Sequence, residues 1–207
     1  MDRYLLLALR ESIPVILIIN KTDLNPDISA DDPRIRYYAE TIPVIFCSAH
    51  SGWNLEAVRS IFGNRTSVLT GHSGVGKSSI LNALIPYAEL KVKPLRGKSG
   101  KGAHTTTASI GFELDNGGIL FDTPGIRKLS LGPMAPRQIQ WYFPDFADYA
   151  LQCRFADCLH LDEPQCAVKQ ALQEKKISMF RYRSYCRLVG ESDASGRLEK
   201  IIRFDRE

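Results

Sequence analysis

The stretch Gly71-His72-Ser73-Gly74-Val75-Gly76-Lys77-Ser78-Ser79 limits what this chain can fold into more than any other. It meets the pattern Gly-x4-Gly-Lys-Ser/Thr in full, between the apolar run TSVLTG (66–71) and the helix-forming run SSILNALI (78–85). Glycines let a backbone curl until several N–H groups converge on one anion, and a following helix adds the positive end of its dipole. In that setting Lys77 reaches the β- and γ-phosphates of a nucleotide, and the Ser78 hydroxyl ligates Mg²⁺. A chance glycine-rich turn would need neither the strand before it nor the helix after it. The stretch therefore predicts a nucleoside triphosphate site at the carboxyl end of a strand.

The surrounding pattern agrees. VILIIN (15–20) and PVIFCS (43–48) are short apolar runs suited to strands buried on both faces; DPRIRYYAE between them, and NLEAVRSIF between PVIFCS and TSVLTG, have helical spacing. Asn54 stands where it could cap the second helix. GFEL and ILFD flank Asp115-Asn116-Gly117-Gly118, a hairpin turn. Strands alternating with helices predict an α/β domain with a mainly parallel sheet. After DTPG, prolines at 133, 136 and 144 break the pattern, and helical spacing returns from Ala167. This predicts a first domain over 1–132 and a small helical domain over 133–207. No apolar stretch approaches a membrane span, and the Leu-rich start reads as an amphipathic helix rather than a signal peptide.

Two further motifs complete a nucleotide site. Asp122-Thr123-Pro124-Gly125 follows a strand, so the Asp122 carboxylate can hold Mg²⁺ through water and the Gly125 N–H can sense the γ-phosphate. Thr105, Thr106 and Thr107 offer hydroxyls to the same ion, any one of which could join its shell. Asn20-Lys21-Thr22-Asp23 follows another buried strand, where α/β sheets place ligand loops. A carboxylate at Asp23 can accept from guanine N1–H and the 2-amino group, which adenine cannot match. Lys21 can cover the base, and Asn20 can tie this loop to the phosphate loop. The strand at 43–48 then delivers Ser48-Ala49, whose backbone N–H can approach guanine O6. The base-reading half here precedes the phosphate-reading half, the reverse of the ordinary order. Such a circular permutation leaves a packed sheet intact when the old termini join at the surface.

Cys153, Cys158, His160 and Cys166 lie within fourteen residues, in a segment too polar for a core. Three thiolates and an imidazole match a closed, structural zinc site. Cys47 and Cys186 read as packing residues. Clustered cysteines without an export signal point to a reducing cytoplasm, where they bind metal rather than form disulfides.

Taken in order, NKTDL, Ser-Ala, GHSGVGKSS, HTTT, DTPGI and CRFADCLHLDEPQCAV resemble the RsgA/YjeQ family of small-ribosomal-subunit biogenesis GTPases. The resemblance implies a GTP hydrolase that assists late maturation of the 30S subunit, contacts 16S rRNA and is stimulated by the subunit. It places the GTP site on residues 20–23 and 71–79 and zinc on the Cys₃His set; a monomer is expected. Members carry an OB-fold domain ahead of the GTPase domain, and a strand inside the sheet ahead of DRYLLLALRESIP. An N-terminally truncated sequence is therefore expected, with unpaired strand edges on two neighbours. Other readings are a permuted GTPase of large-subunit assembly, or a zinc-stabilised RNA-binding fragment whose nucleotide site only binds.

Basic residues cluster at Lys91, Lys93, Arg96, Lys98 and Lys101, and again at Lys175, Lys176, Arg181, Arg183 and Arg187, as rRNA contact would require. After DxxG, where many GTPases carry a water-orienting glutamine, stands Ile126. His104, beside the threonine run, is then the candidate catalytic residue; His72 is the weaker one.

Overall fold

A computed structural model of the chain describes residues 1–85, 92–94, 110–122 and 130–193. It falls into two compact units: Val15–Lys128, and Met1–Pro14 together with Leu129–Glu207.

In the Val15–Lys128 unit, β1 (Leu17–Ile19) pairs in parallel with β2 (Val44–Phe46), in register Leu17↔Val44 to Ile19↔Phe46. A second sheet has four strands in the order β3-β6-β5-β4. There β3 (Thr66–Leu69) runs parallel to β6 (Ile119–Asp122), which is antiparallel to β5 (Ile110–Glu113); β5 is antiparallel to β4 (Val92–Pro94). The strands that lead into motif loops thus pair in parallel, while the sheet beyond β6 is antiparallel. Among the described residues, β1 and β3 share no ladder.

Helices α2 (Arg36–Thr41), α3 (Leu55–Ser60) and α4 (Lys77–Leu84) connect these strands. Val58, Phe62, Ile80, Leu84, Leu114 and Leu120 belong to one buried cluster. At about 25 cal/mol per Å² of apolar surface removed from water, that burial is what holds the short helices in place. The hairpin lies where the spacing predicts it, with Leu114 N–H donating to Gly118 O at 2.8 Å. Asn54 differs from expectation. It sits in the left-handed region (φ 57°) and makes no side-chain cap; its amide donates instead to Phe46 O at 2.7 Å. Its amide thus ties the helix start to the end of β2 instead of accepting a helix N–H through its oxygen.

The other unit holds α1 (Asp2–Arg10), a 3-10 helix over Pro136–Tyr142, α5 (Pro144–Ala150), α6 (Ala167–Gln173) and α7 (Met179–Ser192). Its core contains Leu6 of α1 beside Ile139, Phe143, Phe146, Tyr185 and Val189. The N-terminal helix therefore shares a core with the C-terminal helices, whereas the sequence reading grouped it with residues up to 132. Its apolar face, with Leu5 and Leu6 almost wholly buried, needs a helical partner, and α7 supplies one. Arg181 also departs from the sequence reading. It is buried against Asp2 and against Asp145 at 3.1 Å, so it does not belong to a basic surface. Lys175, Lys176, Arg183 and Arg187 are exposed. The first basic cluster lies outside the residues whose side chains are described.

Candidate functional site: a nucleotide cleft and a Cys₃His knuckle

The nucleotide motifs converge through one side chain. Asn20, at the end of β1, donates its amide N–H to Val75 O at 3.1 Å, inside the phosphate loop. Its Oδ1 accepts the Ala49 N–H at 3.0 Å, from the loop after β2. Three segments up to 55 residues apart are thus joined at a single carboxamide. Lys21 adds a second tie, donating from Nζ to Gly74 O at 2.6 Å, and its own backbone is left-handed (φ 67°). Thr22 is buried, and both its N–H and its hydroxyl donate to Cys47 O, at 3.2 and 3.1 Å. That carbonyl fixes the turn that presents Asp23.

Asp23 accepts a hydrogen bond from the Ser48 hydroxyl. The Ser48 hydroxyl oxygen in turn accepts the Ser51 N–H at 3.1 Å, which fixes its direction. The carboxylate is thereby oriented before any base arrives. In the structure the Ser48 N–H donates to Trp53 O at 3.1 Å, and the Ala49 N–H to Asn20 Oδ1 at 3.0 Å. The loop also sets the Ser48 hydroxyl on Asp23, which a Ser-Ala motif read for its backbone does not reveal.

The phosphate loop has the curl its glycines allow. Gly74 and Gly76 lie at φ 82° and 94°, and α4 begins at Lys77. Lys77 Nζ donates to Gly71 O and His72 O, both at 2.9 Å. An ammonium has three donors, so one remains for a phosphate oxygen. Two adjoining hollows share Lys21 and Ser79. One, of about 240 Å³, is lined by Asn20, Lys21, Ala49, His50 and Ser79. The other, of about 330 Å³, is lined by Lys21 and, from the phosphate loop, by Ser73, Gly74 and Gly76 to Ser79. His50 was not singled out by any motif; only its place after Ser48-Ala49 hints at it. The side chain of Asp122, and His104, Thr105–Thr107, Gly125 and Ile126, lie outside the described residues.

The second site is the Cys₃His set. Cys153, Cys158, His160 and Cys166 bring their ligand atoms within 4.8 Å of one another. His160 Nδ1 stands 3.5 Å from Cys153 Sγ and 3.4 Å from Cys166 Sγ, and these two sulfurs are 3.9 Å apart. A tetrahedral zinc with bonds of about 2.3 Å to sulfur and about 2.0 Å to nitrogen sets S–S edges of about 3.8 Å and S–N edges of about 3.5 Å. The residues fit that ion. Local geometry explains how so short a segment turns back on itself: His160 and Gln165 are both left-handed (φ 58° and 57°). The Glu163 carboxylate accepts the N–H groups of Leu159 and Leu161, at 2.8 and 2.9 Å. Burial pushes its pKa up, but these backbone donors outweigh burial and hold it below the usual range.

Burial also pushes the Cys158 and Cys166 thiols up and the His160 imidazole down, to about 4. A neutral imidazole offers a lone pair, and a divalent cation among the sulfurs would deprotonate them. His160 is fully buried, with Tyr185 and Phe146 packed around its ring. Its Nε2 faces Gln140 Oε1 at 2.7 Å. The sequence reading missed Gln140 and Glu163. The only trace of Gln140 is an amide standing where Ile139 and Phe143 mark a buried face.

Residues 1–132 match the family model described as RsgA GTPase. The chain is 38% identical over 188 residues to the small ribosomal subunit biogenesis GTPase RsgA of Chlorobaculum tepidum, covering 91% of this chain and 60% of that protein. The RsgA of Shewanella oneidensis is 40% identical, over 93% of this chain and 55% of that one. Among solved structures, YjeQ from Thermotoga maritima superposes with a TM-score of 0.68 at 34% identity, over 93% of this chain and 65% of its own. YloQ, titled a circularly permuted GTPase, gives 0.64 at 31% identity, over 94% and 62%. The chain thus spans about 60% of the length of these relatives. A base-reading loop ahead of the phosphate loop, a permuted neighbour in structure and a matched model over 132 residues agree: the chain belongs to the RsgA GTPase family.

Proposed function

We propose that the chain binds GTP with Mg²⁺ in the cleft between the 20–23 loop and the phosphate loop, and hydrolyses it in the service of 30S subunit maturation in the cytoplasm. The observation that carries this reading is the Asn20 carboxamide, which joins the guanine-reading loop, the Ser48-Ala49 loop and the phosphate loop. Asp23, oriented by Ser48, reads the base; Lys21 flanks it; Lys77 meets the phosphates; Ser78 and Asp122 hold Mg²⁺. The metal would neutralise charge developing on the phosphate oxygens. The curated relatives are named as small-subunit biogenesis GTPases, and this supports 30S and its 16S rRNA as the partner. One zinc on Cys153, Cys158, His160 and Cys166 cross-links its loop and, having four protein ligands, leaves no open position for chemistry.

Displacement of a fluorescent GDP analogue by GTP but not ATP, together with phosphate release that rises on adding 30S subunits, is the expected result. Equal displacement by ATP and GTP would refute the base assignment. Binding without release, with or without subunits, would favour the binding-only reading, for which the absence of a β1–β3 ladder among the described residues speaks. With Ile126 at the usual glutamine position, His104 orients the attacking water in this proposal. His104→Ala should keep GTP affinity and lose most stimulated hydrolysis; near-parental turnover would exclude the histidine.

A further inference from the structure

Gln140 has no place in any motif, yet its side chain is directed at the metal knuckle from a separate element. It lies on the 3-10 helix Pro136–Tyr142, twenty residues before His160, and is only 5% exposed. Its neighbours in the core are apolar: Ile139, Phe143 and Phe146. A buried amide in such surroundings is costly unless it is hydrogen-bonded. Its Oε1 meets His160 Nε2 at 2.7 Å. A carboxamide oxygen only accepts, so Nε2 must carry the imidazole proton. The lone pair is then left on Nδ1, the atom that stands 3.5 and 3.4 Å from two of the three sulfurs.

The ring is fixed from its other sides as well. Tyr182 donates to His160 O at 2.7 Å, and Tyr185 donates to Leu159 O at 3.1 Å, which anchors the backbone on either side of the Cα–Cβ bond. Neither tyrosine touches a ring nitrogen through these bonds, so they hold the residue without choosing its tautomer. Gln140 bonds Nε2 directly and so sets which nitrogen carries the proton.

We infer that Gln140 is a positioning residue for the Cys₃His site, an acceptor that holds His160 in the Nε2–H tautomer and presents Nδ1 to the metal. The inference rests on the zinc reading above. It also couples the 3-10 helix to the ion, because the same helix carries Ile139 into the core of its unit. Partners that orient a ligating histidine in this way typically change metal affinity by about 10- to 100-fold.

The test begins with the parent protein. Elemental analysis should find one zinc per chain; finding none would defeat the zinc reading itself, separately from this inference. In the zinc-loaded parent, ¹⁵N–¹H correlation spectra of the histidine rings should show the His160 proton on Nε2. A proton on Nδ1 would overturn the inference, and this measurement needs no variant. Gln140→Met keeps the volume and removes the acceptor, whereas Gln140→Glu keeps an acceptor. In competition with a chromophoric chelator, Gln140→Met should lose about 10- to 100-fold in zinc affinity and Gln140→Glu should stay within a few-fold of the parent. Cobalt substituted into Gln140→Met should show shifted d–d bands. Parental affinity in Gln140→Met would overturn the inference. Equal losses in both variants would do so too, since a purely packing role does not depend on an acceptor.

Discussion

Asn20 and Gly76 show how one residue governs another across the nucleotide cleft. A Cβ built on Gly76 would fall well inside van der Waals contact of Asn20 Nδ2, and φ there is 94°. Gly76 is therefore required twice over, by its own backbone and by the carboxamide that passes it. Left-handed backbone alone costs a residue with a Cβ about 1 to 2 kcal/mol. Gly52 offers a control, since it is also left-handed (φ 82°) but has open space around it. Gly52→Ala should cost only that strain. Gly76→Ala should cost more and lower nucleotide affinity by roughly tenfold or more, as 1.4 kcal/mol is a factor of ten. Titration with a fluorescent GDP analogue checks both; equal losses would mean that Asn20 does not depend on the glycine. At Asp23, Asp23→Asn replaces an acceptor with a partial donor. It should weaken GTP and favour xanthine nucleotides, which carry an oxygen where guanine has its amino group, as competitive binding would show.

At the scale of elements, α1 and α7 meet through a buried ion cluster. Arg181 is 2% exposed; it bonds Asp2 of α1 and, at 3.1 Å through both Nε and Nη2, Asp145 of α5. Its guanidinium also lies 4.3 Å from the Phe143 ring centroid. A planar guanidinium can serve two carboxylates and an aromatic face at once, which a lysine cannot. Arg181→Met would take from Asp2 and Asp145 the guanidinium that bonds both. Removing one partner of such a buried cluster typically costs about 3 to 5 kcal/mol. Denaturation followed at Trp141 in a Trp53→Phe background should show that loss. A change below about 1 kcal/mol would mean that water reaches the cluster.

At the scale of the whole molecule, the chain's order and its packing disagree. Helix α1 precedes the nucleotide loops in sequence but belongs to the same compact unit as the Cys₃His knuckle. Because metal binding and folding are coupled in small knuckles, removing zinc should loosen this unit as a whole. Hydrogen exchange after treatment with a strong chelator should rise across residues 130–193 and also across 2–10, more than 120 residues earlier. Residues 15–85 should keep their protection. If 2–10 instead kept the protection of the Val15–Lys128 unit, the helix would owe its order to something other than this core.

Local sequence was sufficient wherever one segment carries its own chemistry. The phosphate loop needs only its glycines, its lysine and the strand and helix beside it, and the knuckle needs only four ligands at close spacing. The order of the two nucleotide motifs was enough to announce a permuted domain. What local sequence could not supply was any pairing between distant segments. That α1 shares a core with α7 depends on which apolar face finds which, and Leu5 and Leu6 would suit many partners. That Arg181 is buried rather than part of a basic surface depends on Asp2, 179 residues away. The role of Ser48 as a hydroxyl on Asp23, and the approach of Gln140 to His160, likewise arise only when separate elements pack. Motifs are legible because their atoms are covalently near; partners across the core are chosen by burial and by the need of every buried polar group for a hydrogen bond, and only the folded chain makes that choice.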